Sequence, residues 1–180
     1  IIAGLPGGEG SYSKKQILNE VEKFSTIGTE GYRKNLFKFL KEIIPTAERS
    51  KVKMCIHPDD PPFPLFGLPR VVSSASDARK LLNAYPSIHN GLTMCVGSYG
   101  AGFQNNTSKL VEEFKSHIHF AHLRNIIKEP DGSFYESDHL DGDNDMHAIA
   151  KQLLHEEKYR QKYGDKSIIP MRPDHGHLIG

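Results

Sequence analysis

Tryptophan is absent from this chain of 180 residues, and cysteine occurs only twice. Two thiols, each inside or at the end of a strand candidate, suit a reducing, cytoplasmic compartment better than a disulfide framework. Charge of either sign is not in excess: 23 Lys+Arg against 22 Asp+Glu leave a formal net charge of +1. That balance gives no electrostatic footprint for nucleic acid. No apolar run approaches the roughly 20 residues that a membrane-spanning helix needs. Neither nucleic acid nor a membrane is therefore an expected partner. No stretch has the charged-then-apolar pattern of a secretory leader. What is plentiful is histidine, with ten residues, several of them just past strand candidates. That excess points to metal or acid/base chemistry.

The hydrophobic content of 37% and charged content of 25% are those of an ordinary globular domain. The chain opens at Ile1 and stops at Gly180, and both ends read as cuts. Residues 1–180 are expected to be part of a larger catalytic domain. A strand–helix rhythm runs along them. Ser13 caps a helix to about residue 24, and Thr29 caps a longer one whose apolar face includes Leu36, Leu40, Ile44 and Ala47. Further helices are expected from Ser76 to about 85, from Thr107 over Leu110, Val111 and Phe114, and from Met146 to about 159. Between them lie strands over 52–56, over 92–96 after an Asn90-Gly91 turn, and over 118–121 and 168–171. Such alternation predicts an α/β fold with a parallel sheet. The loop 57–64 is stiffened by Pro58, Pro61, Pro62 and Pro64, while 125–145 is long, polar and without period. Loops of that length inside a compact domain are usually functional.

Each strand candidate ends on a metal-capable side chain: His57, Cys95, His122 and Asp174. In a parallel sheet or barrel, functional residues gather at the carboxyl ends of the strands. One sheet would bring these four around a single point. Two imidazoles, a thiolate and a carboxylate form a borderline-soft set suited to Zn²⁺, Fe²⁺, Co²⁺ or Mn²⁺, and not to Mg²⁺ or Ca²⁺. Taken singly, each residue has a plainer use. A strand-end histidine is more often a hydrogen-bonding residue, a lone cysteine a small buried hydrophobe, and an aspartate a turn former. The coincidence of four strand ends favours the metal. His175 adjoins a ligand and titrates near neutrality, so it is the acid/base candidate, with support of a ligand as its other reading. His177, His139 and Asp143 are pocket-lining candidates. Arg124 shares a face with His122 and suits a bidentate hold on a substrate carboxylate, or else a structural ion pair. His89, His117, His119, His147 and His155 fall on helices, turns or outward strand faces and receive no role.

Several blocks carry a family resemblance: His57-Pro-Asp-Asp-Pro-Pro62, Phe66-Gly-Leu-Pro-Arg70, Asn90-Gly-Leu-Thr-Met-Cys95 with Gly97-Ser-Tyr-Gly100, His119-Phe-Ala-His-Leu-Arg-Asn125, Asp138-His-Leu-Asp-Gly-Asp143 and Met171-Arg-Pro-Asp-His-Gly-His177. In this order they resemble the mannonate dehydratases, lyases of hexuronate and glucuronate catabolism. The resemblance implies a (β/α)8 TIM barrel, with this chain covering roughly its C-terminal half. It implies dehydration of D-mannonate to 2-keto-3-deoxy-D-gluconate with Mn²⁺ or Fe²⁺, a metal that binds the sugar acid and stabilises the enolic intermediate. The ligands it implies are again His57, Cys95, His122 and Asp174, with His175 as the catalytic histidine, in a cytoplasmic homodimer. Two other functions fit the same residues: another metal-dependent barrel isomerase or epimerase, and a noncatalytic sugar-acid-binding module.

Overall fold

The computed structural model describes residues 13–174. Helices α1 (Lys14–Ser25) and α2 (Gly28–Ser50) lead into β1 (Met54–Ile56), and α3 (Ala75–Ala84) leads into β2 (Asn90–Cys95). After β2 come the short α4 (Val96–Gly100), α5 (Thr107–Phe114) and a 3-10 turn (Lys115–His117), which deliver the chain to β3 (Ile118–Leu123). A hairpin of β4 (Ile126–Lys128) and β5 (Phe134–Glu136) precedes α6 (Met146–Lys162) and the last strand, β6 (Met171–Pro173). Strands β1, β2, β3 and β6 form one parallel sheet in that order, so the α/β expectation holds.

Local chemistry explains the helix starts, and corrects three of them. Ser13 and Gln16 make a capping box at α1, as expected. At α2 the helix begins at Gly28, whose φ of +66° lets the chain turn sharply out of α1. Thr29 therefore lies inside the first turn and caps nothing. Helix α3 begins at Ala75, one residue before the expected Ser76, and is capped by Ser74, which accepts from the Asp77 amide. Asn106, not Thr107, caps α5, because its side chain reaches the Lys109 amide at 2.9 Å. Thr107 turns inward instead and donates to Asn144 Oδ1 at 3.0 Å.

Strand β2 lies between β1 and β3 and is buried along its whole length, Asn90 and Gly91 included. The expected Asn-Gly turn is thus strand. Gly91 is required there because a Cβ would meet the His119 ring at 2.2 Å. Around the sheet a core forms from Leu40 and Ile44 of α2, Leu81 of α3, Val111 and Phe114 of α5, and Ile149 and Leu153 of α6. The register between β2 and β3 shifts after Leu92, which pairs with Ile118 while Thr93 pairs with Phe120. The last strand starts at Met171, later than expected, since Pro170 has no N–H to give. Its carbonyl still accepts from the Ala121 amide at 2.9 Å. Segment 125–145 is no plain loop, because it folds into the β4–β5 hairpin around Gly132.

His119, expected on an outward face, is only 7% exposed. Its Nε2 lies 2.8 Å from the Ile88 carbonyl, which only accepts, so the neutral ring carries its proton there. Nδ1 is buried with no partner among the described residues. Burial pushes this imidazole down to about 4. The folded state thus resists protonation while the unfolded chain accepts a proton near pH 6.5. The stabilisation is complete above pH 6.5 and is lost as pH falls towards 4. His119→Gln is expected to flatten the pH dependence of urea unfolding in that window, by on the order of 2 kcal/mol between pH 7 and 4.5.

Candidate metal centre

The strand ends converge. Cys95 and His122 are register partners on β2 and β3, and His57 follows directly on Ile56, the last residue of β1. One ligand-capable atom from each of His57, Cys95 and His122 lies within 4.8 Å of the other two. Cys95 Sγ stands 3.4 Å from His122 Nδ1, and the rings of His57 and His122 are 6.0 Å apart. Asp174, just past β6, brings Oδ1 to 2.8 Å from His122 Nε2. Asp174 meets the group through His122 and is not a member of the mutual cluster. His175 and His177 lie outside the described residues.

The cluster is polarised. His57 Nδ1 lies 2.7 Å from the Pro58 carbonyl, which leaves Nε2 of the neutral ring as the nitrogen with a lone pair to offer. Its hydrogen bond with Cys95 raises the His57 value above the ordinary imidazole one, against the opposing effect of burial. Burial would push the Cys95 thiol up, but hydrogen bonds from His57 and Ser98 outweigh it and bring the thiol down. His122 is lowered by burial, with Asp174 opposing. Its Nε2 is enclosed and makes no aligned hydrogen bond among the described residues, although Asp174 approaches it. A thiol already drawn towards thiolate and an enclosed ring nitrogen suit a borderline divalent cation. The donor set therefore fits a metal.

The remaining candidates are placed by their contacts. Arg124 is buried, and its fork is turned on the protein's own groups. Nε donates to Glu136 Oε1 at 2.7 Å, Nη2 lies 2.6 Å from the same oxygen, and Nη1 donates to Asp60 Oδ2 at 2.6 Å. These contacts are those of an ion pair joining the proline-rich loop to β5, with most of the guanidinium's five N–H bonds engaged. The Asp143 carboxylate accepts from the Lys128 amide at 3.0 Å and steadies the hairpin. The His139 carbonyl accepts from Asn125 Nδ2 at 3.1 Å. Asp59, which the sequence places as an acidic group in the loop, accepts from the amides of Val71 and Val72 at 2.9 and 2.7 Å. Sequence reasoning missed Ser98, fully buried, whose hydroxyl donates to Cys95 Sγ at 3.0 Å. No local signal marked it, because the two glycines of α4 give that stretch poor helix propensity.

The sequence model of the D-mannonate dehydratase (UxuA) family matches residues 1–180. The chain belongs to the mannonate dehydratase family. It is 62% identical over 180 residues to the mannonate dehydratase of Saccharophagus degradans, covering 99% of this chain and 45% of that protein. To mannonate dehydratase 2 of Agrobacterium fabrum it is 51% identical, over 100% of this chain and 45% of the relative. The crystal structure of mannonate dehydratase from Streptococcus suis serotype 2 superposes with a TM-score of 0.78 at 39% identity, covering 89% of this chain and 44% of that one. The chain thus spans rather less than half the length of the mannonate dehydratases it matches.

Proposed function

We propose that the protein containing this chain dehydrates D-mannonate to 2-keto-3-deoxy-D-gluconate at a divalent metal. What carries the reading is the meeting of His57, Cys95 and His122 within 4.8 Å, in a chain of the mannonate dehydratase family. In this reading His57, Cys95, His122 and Asp174 hold Mn²⁺ or Fe²⁺. The ion supplies Lewis-acid stabilisation of charge that develops on the substrate's oxygens. The chain's own work is to fix the ligands on strand ends and to move protons. A general base takes the C2 proton and the C3 hydroxyl leaves as water, giving an enol that tautomerises to the 2-keto acid. His175, next to Asp174 in the chain, is the group that hands a proton to the departing C3 hydroxyl. His177, His139 and Asp143 line the substrate's side of the pocket. Arg124 acts at one remove.

The four parallel strands are read as part of a (β/α)8 barrel, with residues 1–180 forming the C-terminal half of one catalytic domain. In support, a four-stranded parallel sheet has two edges, and edge strands call for cover. No helix among the described residues is long and apolar enough to cross a membrane. A cytoplasmic homodimer completes the proposal, on the family likeness. The test is the full-length protein given D-mannonate and Mn²⁺. A 2-keto-3-deoxy product is expected. An epimer or a ketose would instead make it an isomerase-type barrel, and binding without turnover would make it a sugar-acid-binding module.

A further inference from the structure

Behind the three clustered ligands lies a buried polar layer that touches one of the ligand atoms, Cys95 Sγ, through Ser98. Ser98 sits on α4, three residues after Cys95, and is fully buried. Its hydroxyl proton points to Cys95 Sγ at 3.0 Å. Behind it stands Arg124, 8% exposed, whose Nη1 reaches Ser98 Oγ at 3.5 Å. The guanidinium is in turn fixed by Asp60 after β1 and Glu136 on β5. Gly97 makes room for this arrangement, because a Cβ there would come within 2.6 Å of the Arg124 side chain. We infer that Ser98, backed by Arg124, is a positioning residue for the Cys95 thiolate, fixing its direction and drawing off part of its charge. The inference rests on the metal reading of the cluster.

Two simpler roles are open to this layer, and charge and size decide against both as the main effect. Arg124 alone would favour a thiolate electrostatically, but Asp60 and Glu136 together outnumber its single positive charge. Its effect on Cys95 is therefore geometric and passes through the Ser98 hydroxyl. Ser98 is not a mere space-filler either, since a buried hydroxyl left without an acceptor carries a desolvation cost that alanine would avoid. A donor hydrogen bond to sulfur stabilises its lone-pair electrons and fixes which of them is left for a cation. Outer partners of this kind typically change metal affinity by about 10–100-fold when removed.

The test uses Co²⁺ as the probe, in the full-length protein, read by its thiolate-to-metal charge-transfer band and by competition for affinity. Ser98→Ala is nearly isosteric and is checked for folding by circular dichroism. It is expected to bind Co²⁺ roughly ten-fold or more weakly, with the band moved to lower energy because the sulfur electrons are less stabilised. Arg124→Met is expected to shift the band the same way, and the double variant to add little to Ser98→Ala, since both act through one hydroxyl. A Ser98→Ala protein with unchanged affinity and an unmoved band would overturn the inference while leaving the metal reading intact. A wild-type protein that binds Co²⁺ without a thiolate band would overturn both.

Discussion

Replacing Cys95 with serine is expected to cost the protein its metal. Cys95 is completely buried at the end of β2, level with His122 on β3, and its sulfur stands between the hydroxyl of Ser98 and the imidazoles. Serine keeps the size and a polar atom. It does not ionise near neutral pH, so it offers a neutral oxygen where a soft anion stood. Loss of an outer partner alone typically costs about 10–100-fold in metal affinity. Loss of the thiolate should exceed the upper end of that range. Competition against a chelating dye, with Mn²⁺ as the titrant, measures it directly. The same variant should lose dehydration of D-mannonate in proportion and regain part of it at high Mn²⁺. Metal content equal to wild type would remove Cys95 from the ligand set.

The second large effect is expected at His175. Its substitution by asparagine keeps the size and a hydrogen-bonding amide but removes proton transfer. General acid–base groups typically contribute about 10²–10⁴-fold in rate, so kcat should fall within that range. Metal content separates this role from that of Asp174 beside it. His175→Asn is expected to bind Mn²⁺ as wild type does, whereas Asp174→Asn should weaken it. If His175→Asn lost its metal instead, the residue would be a support for the ligands and the proton donor would lie elsewhere.

The meeting of His57, Cys95 and His122 was legible because each depends on one local rule: a short apolar strand that stops at a side chain able to bind metal. Such a rule needs no knowledge of which strands are neighbours, and the family likeness selected the same residues. The parallel sheet was legible for a similar reason, since the strand–helix rhythm is written in the hydrophobic spacing. Contacts between distant segments were not legible. For Arg124 a hold on a substrate carboxylate and a structural ion pair both stayed open, because one partner, Asp60, lies 64 residues away and nothing local marks the pairing. Helix α4 gave no signal at all. Five residues containing two glycines have poor helix propensity, and α4 forms because it is packed in the core beside β3. Ser98 was missed with it. The strands of the β4–β5 hairpin are three residues each, too short for alternation to be recognised. The cap of α5 slipped by one residue because Thr107 is as competent chemically as Asn106.

The irregular pairing after Leu92 has a consequence for how this centre tolerates change. His119 is the extra residue: Leu92 faces Ile118, Thr93 faces Phe120, and from there the ladder runs in step to Cys95 and His122. Side chains alternate across a strand, so a slip of one position exchanges its two faces. Losing His119 would only make the ladder regular and keep His122 level with Cys95, whereas losing Ala121 would bring Leu123 level with Cys95 and turn the imidazole to the other side of the sheet. A loop elsewhere can lengthen or shrink at small cost, but the stretch from Phe120 to His122 cannot. In this protein the count of residues in one strand is as much a part of the ligand set as their identity.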